Sequence, residues 1–127
     1  MKRVILLIGA MAFLSIQTVL AQNVVQNPDF EDYGTCPTSV AQIPNLDFWD
    51  NLVPHIGSAD MLNVCNTGIV NVPANAFGNE PAFSGDGYVG FAIMYNAWGG
   101  DFREYIVNEL ACPLEAGIDY NVSFKIS

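Results

Sequence analysis

The chain carries a single histidine, His55, in the run Val53-Pro54-His55-Ile56-Gly57. Nucleophilic or general-base work by an imidazole needs an oriented partner. Ser58 and Asp60 are close in sequence, but Ser58 lies in no G-x-S-x-G elbow. His55 therefore reads as a loop histidine. Asp101 and Glu104 have the residue types of a glycosidase pair, yet 13 acids in so short a chain bring such pairs together by chance. No enzymatic activity is expected. The three cysteines, Cys36, Cys65 and Cys112, lack the C-x-x-C repeats of a zinc site. In an oxidising compartment two of them should bridge. We take Cys36–Cys65 as the pair, closing a loop of about 30 residues worth roughly 3.5 kcal/mol in the chain-entropy model. Cys112 is then a buried thiol or pairs with something outside the chain.

Two other sets of residues suit binding. Trp98, Gly99, Gly100 and Asp101 form a turn-like run flanked by Tyr95 and Arg103. An aromatic platform with nearby hydroxyl-binding groups is what a sugar ring requires, so Trp98, Asp101, Tyr95 and Arg103 are the candidate ligand-binding residues. Trp49 follows Leu46 and Phe48 and reads as core instead. Asp29, Glu31, Asp32 and Asp86 sit in or beside turns and have the hard oxygen ligands a structural calcium ion takes. No D-x-[DN]-x-[DN]-G loop singles them out, and solvated surface acids are the plainer reading.

The N-terminus supplies the address. Lys2 and Arg3 precede the apolar run Val4 to Leu14, and Val19-Leu20-Ala21 has the small residues of a cleavage site. The run is about half the length of roughly 20 residues that a bilayer core needs. Residues 1–21 are therefore expected to be a signal peptide cut after Ala21. The protein would then be secreted or held at the cell surface or outer membrane, with no transmembrane segment after cleavage. Removing 21 of 127 residues leaves 106, one small domain. Only Arg103 and Lys125 then face the 13 acids, a net charge near −11 against −9 for the whole chain. Nucleic acid is excluded as a partner, because phosphates need a positive surface.

Composition and pattern set the elements. The mature part is rich in Asn, Gly, Pro and aromatics and poor in Lys and Arg, which leans to strands and turns, an all-β fold. A short strand is expected within 22–35. Residues 36–60 should be a long irregular connection carrying Phe48 and Trp49 inward. Met61 to Cys65 and Gly68 to Val72 are short apolar pieces. Tyr88 to Tyr95, an almost continuous apolar run, predicts a strand covered on both faces. Asn96 to Asp101 should turn, and Arg103 to Leu110 should form a strand. From Asp119 to Ser127, Tyr120, Val122, Phe124 and Ile126 alternate with polar residues, which predicts a half-buried strand. Such a strand needs partners, and five or six strands fall short of the eight of a jelly roll. A piece of a longer protein is the expectation, with residues 22–127 forming the N-terminal part of a sandwich.

Several landmarks occur in a recognisable order. They are Asn27-Pro28-Asp29-Phe30-Glu31, Cys36-Pro37, Trp49, Cys65, Val72-Pro73-x-Asn75 and Phe77-Gly78. Ser84-Gly85 with Tyr88-Val89-Gly90 follows, then Arg103-Glu104-Tyr105-Ile106, Leu110, Pro113-Leu114, Ala116-Gly117, Tyr120 and Val122-Ser123-Phe124. Together they resemble the N-terminal galactose-binding-like jelly-roll domain of exported surface proteins of Bacteroidetes-type bacteria. Those proteins continue into an OmpA-like peptidoglycan-binding domain or a gliding-motility or sorting-type region. The resemblance implies a jelly-roll sandwich, incomplete at its C-terminus. It also implies a carbohydrate-binding or adhesive module whose partner is a glycan or another envelope component. The alternative it leaves open is a structural spacer in a larger envelope protein. Cys112 departs from the family pattern.

Overall fold

The computed structural model describes residues 22–52, 59–97 and 100–126, the stretches 95–97 and 100–102 through their backbone. The expected signal peptide, His55, Ser58 and Trp98 lie outside the described residues. Among the described residues there are six short strands: β1 (Trp49–Asn51), β2 (Asp60–Asn63), β3 (Gly87–Gly90), β4 (Tyr95–Ala97), β5 (Gly100–Phe102) and β6 (Ile106–Asn108). They pair antiparallel as β1–β6, β2–β3 and β4–β5. A single short 3-10 turn, Ile43–Asn45, is the helical part among the described residues. Among them, no helix is long and apolar enough to cross a membrane. The chain is a small β-rich fold.

The core sits where β2 meets the 3-10 turn. Pro44 suits the start of that turn, since its missing N–H would have no helical partner there. The turn ends at Leu46, which is extended, so Ile43 and Leu46 both point into the core with Ala59 and Met61. Phe30, Tyr33, Trp49, Val89 and Ile106 pack around this cluster. All four residues of β2 are buried, and Val70 and Val72 are buried as well. β2 is thus the strand covered on both faces, a role the apolar pattern had given to Tyr88–Tyr95. Its register against β3 runs from Asp60↔Gly90 to Asn63↔Gly87.

Several expectations are corrected. The run Tyr88–Tyr95 is not one strand: β3 stops at Gly90, and β4 begins at Tyr95 in a different sheet. Asn96 and Asp101, expected in a turn, pair with each other across the β4–β5 hairpin. Residues 22–35 make no strand, only an isolated bridge between Tyr33 and Leu46. Of the two short apolar pieces, the first contains most of β2, while Gly68–Val72 is turn and bend. Phe48 is 52% exposed, because its backbone at φ 69° turns the chain just before β1. Trp49 does pack against the core as expected. Of Arg103–Leu110, only Ile106–Asn108 is strand. The segment 119–126 belongs to no strand and is exposed, not half-buried. Alternation makes a strand able to bury one face, but without a ladder partner it buries neither.

The disulfide is the expected one. Cys36 and Cys65 are bonded, with Cα atoms 6.1 Å apart. Cys112 is a free thiol and is exposed, so the buried placement is corrected. Its segment, 111–120, is exposed throughout.

Candidate functional site

The first landmark run is a structural knot. Asn27 has φ 47°, a left-handed conformation that Asn tolerates better than most residues. Its side-chain Nδ2 donates to the carbonyls of Asp32 and Asp47 at 2.8 and 3.0 Å. Its Oδ1 accepts the Asp32 N–H at 3.0 Å. Its own carbonyl accepts the Trp49 indole N–H at 2.8 Å. Buried polar groups must find partners in this way or cost stability. The knot sets Phe30 against Trp49, with ring centroids 5.0 Å apart and tilted 46°. Pro28 and Phe30 are then held facing β3.

Glu31 joins this knot to the second landmark run. Its Oε1 accepts the backbone N–H groups of Asp86 and Gly87 at 2.7 and 3.0 Å. Gly85 bends there with φ +67°, and a Cβ on it would collide with the Glu31 carboxylate. Gly87 is equally confined: a Cβ would stand 2.8 Å from Asn63 Nδ2 and 2.9 Å from the Leu62 carbonyl. The glycines of Ser84-Gly85-Asp86-Gly87 are therefore required by the approach of Glu31 and β2, not only by turn formation. On the far side of β3, the Asn75 Nδ2 donates to the Tyr88 hydroxyl at 2.8 Å. Asn75 Oδ1 also closes its own turn by accepting from Phe77 and Gly78.

Between these elements lies an open cleft of about 610 Å³. Its walls come from Pro28 and Phe30, from Phe83, Tyr88 and Phe91 around β3, and from Phe124 of the C-terminal segment. Asp29, Ser84, Ser123 and Lys125 add polar atoms. Lys125 Nζ stands 4.9 Å from the Phe83 ring centroid, a cation–π placement. The volume falls in the range of small-ligand sites, and aromatic walls with a few polar groups are their usual composition. Landmarks separated by more than 50 residues in the chain are thus brought to one place by the Glu31 bonds.

The expected sites fare differently. Tyr95 and Asp101 lie on the paired strands of the β4–β5 hairpin, and Arg103 follows it, exposed. Arg103 is not among the residues lining the cleft. Of the expected calcium ligands, Glu31 is committed to backbone amides, while Asp29, Asp32 and Asp86 are exposed. Among the described residues, no three His, Cys, Asp or Glu side chains gather as a metal-ligand set. Glu104 accepts the Ala92 N–H at 2.7 Å. The carboxylate that feels its charge is Asp60 of β2, a neighbour no local spacing suggested. Asp60 accepts the Ala41 N–H at 2.6 Å. Burial pushes its carboxyl above the usual 3.8, the Ala41 bond pulls the other way, and Glu104 adds to the rise.

The cleft was missed in the sequence because its aromatics are scattered. Phe83, Phe91 and Phe124 follow no shared period, and each reads alone as ordinary core. Compared with known proteins, the chain matches no family model, no curated protein and no solved structure.

Proposed function

We propose that the chain is an exported, surface-exposed module of jelly-roll type that binds carbohydrate or adheres to it, with no chemistry of its own. The observation that carries this reading is the open cleft walled by Phe30, Phe83, Tyr88, Phe91 and Phe124. Aromatic faces offer the stacking surface a pyranose ring needs, and Asp29, Ser84, Ser123 and Lys125 offer partners for its hydroxyls. The ordered landmarks support the jelly-roll and Bacteroidetes-type surface assignment from sequence, and four of those landmarks contribute to the cleft wall. The disulfide is in keeping with an oxidising compartment. Trp98, Tyr95, Asp101 and Arg103 are a second candidate set for the same ligand class, from their residue types.

A glycan array tests the reading. Binding that disappears in Phe83→Ala and Phe91→Ala, but survives Trp98→Ala, places recognition in the cleft. The reverse pattern places it on the hairpin. Silence across all glycans overturns sugar recognition and leaves the spacer role in a larger envelope protein.

A further inference from the structure

Asp86-Gly87 is the sole Asp-Gly or Asn-Gly dipeptide in the sequence. A glycine amide has no side chain to shield it, so such a dipeptide is where a chain most readily attacks itself. The Gly87 nitrogen can add to the protonated Asp86 side-chain carboxyl and close a succinimide ring. A C–N bond forms, the carboxyl C–O bond breaks, and the hydroxyl leaves with the amide proton as water. Water then reopens the ring at either carbonyl. Opening at the main-chain carbonyl leaves an isoaspartyl link that runs through the Asp86 Cβ and lengthens the backbone. Nothing is oxidised or reduced, and the mass is unchanged.

The surroundings of this dipeptide pull in opposite directions. Asp86 is exposed, so its carboxyl is open to water. Its peptide link to Gly87 is nonetheless held from both sides. The Gly87 N–H donates to Glu31 Oε1 at 3.0 Å, and the Asp86 N–H donates to the same oxygen at 2.7 Å. The Asp86 carbonyl accepts the N–H of Val64, the residue after β2, at 3.0 Å. Successive amides aimed at one anionic oxygen form a nest, and Gly87 itself is buried. To reach the Asp86 carboxyl, the Gly87 nitrogen must turn away from Glu31 and break a charge-assisted bond. It must also give up its proton, and the carboxylate beside it disfavours negative charge on that nitrogen.

We infer that Asp86-Gly87 is a self-modification site kept closed by the Glu31 carboxylate. The consequence reaches the cleft, because Ser84, Gly87 and Tyr88 line it. An isoaspartyl link carries the Gly87 N–H off Glu31 and shifts that wall. The inference does not rest on any glycan.

Ageing the purified chain near neutral pH at body temperature tests it, with isoaspartate at position 86 followed by peptide mapping and fragmentation mass spectrometry. The same chain, reduced and unfolded in guanidinium chloride, gives the unrestrained rate. The folded parent should isomerise slower by about tenfold or more, since a charge-assisted bond opposes each attack. Glu31→Ala should recover most of that factor while its near-ultraviolet circular dichroism stays that of the parent. Glu31→Gln keeps an acceptor without the charge and should fall between; it carries the test if the alanine variant unfolds. Ile43→Val weakens the core away from this turn and should leave the rate at the parent's value. A parent that isomerises as fast as the unfolded chain overturns the inference. So does a folded Glu31 variant no faster than the parent. Equal acceleration by Ile43→Val overturns it as well, because general opening of the fold would then set the rate.

Discussion

Single residues in this protein act mostly as hydrogen-bond hubs. Asn27 alone makes five side-chain and backbone hydrogen bonds, four of which fix the entry to β1. Asp60 is the residue with the clearest consequence in solution. Its carboxyl is raised by burial against the pull of the Ala41 N–H, with Glu104 nearby adding to the rise. A carboxyl raised in the folded state binds protons that the unfolded chain does not, so stability falls as pH climbs through that window. The ionised form thus costs stability at neutral pH, and the cost is relieved as pH drops toward the unfolded value of 3.8. Asp60→Asn keeps an oxygen for Ala41 and removes the charge. Its melting temperature should lack this component of the pH profile, and the difference from the parent should shrink toward low pH. An unchanged difference at every pH would show that Asp60 titrates as an ordinary surface acid.

At the scale of elements, the most informative contact is the one between the Asn27–Glu31 knot and the turn before β3. Two amide bonds to one carboxylate oxygen hold these pieces together across more than 50 residues of chain. Charge-assisted bonds of this kind contribute about 1.5–3 kcal/mol net each, and less where water reaches them. Glu31→Ala should therefore destabilise the fold by about 2–3 kcal/mol in urea titration. Glu31→Gln retains an oxygen acceptor and should lose less. If both variants match the parent, the turn holds its shape without Glu31. The strand pattern explains why this element was not legible beforehand. Glu31 and Asp86 look like surface acids in sequence, and only the arrival of the turn amides gives Glu31 a structural role. Alternation over 119–126 describes one apolar face only for a segment that is a strand, and this one is not. It could not supply the partner that turns such a segment into a buried strand.

For the molecule as a whole, the limiting quantity is the core. Among the described residues, seven hydrophobic side chains from 43–72 are buried, with Pro37 buried as well. Small domains with so little interior usually rely on a covalent staple. The Cys36–Cys65 bond closes a 29-residue separation around that core. Cys36→Ser with Cys65→Ser should lower the unfolding free energy by about 3.5 kcal/mol in chemical denaturation, since the open loop regains its freedom when unfolded. A loss under about 1 kcal/mol would mean that the unfolded chain is already compact there.

What the sequence by itself determined is what depends on composition and short-range order. Strand- and turn-forming residues make the fold β-rich, and cysteines in an oxidising compartment pair as Cys36–Cys65. Trp49 was legible as core from Leu46 and Phe48 before it, though Phe48 itself faces outward. Only the tertiary structure decided which strand lies innermost, that the charge of Glu104 reaches the buried Asp60, and that Phe30, Phe83, Phe91 and Phe124 share a cleft. Those are meetings between residues distant in the chain. They are selected by the packing of the entire core and by which backbone amides remain unpaired, and neither quantity is written in any local window.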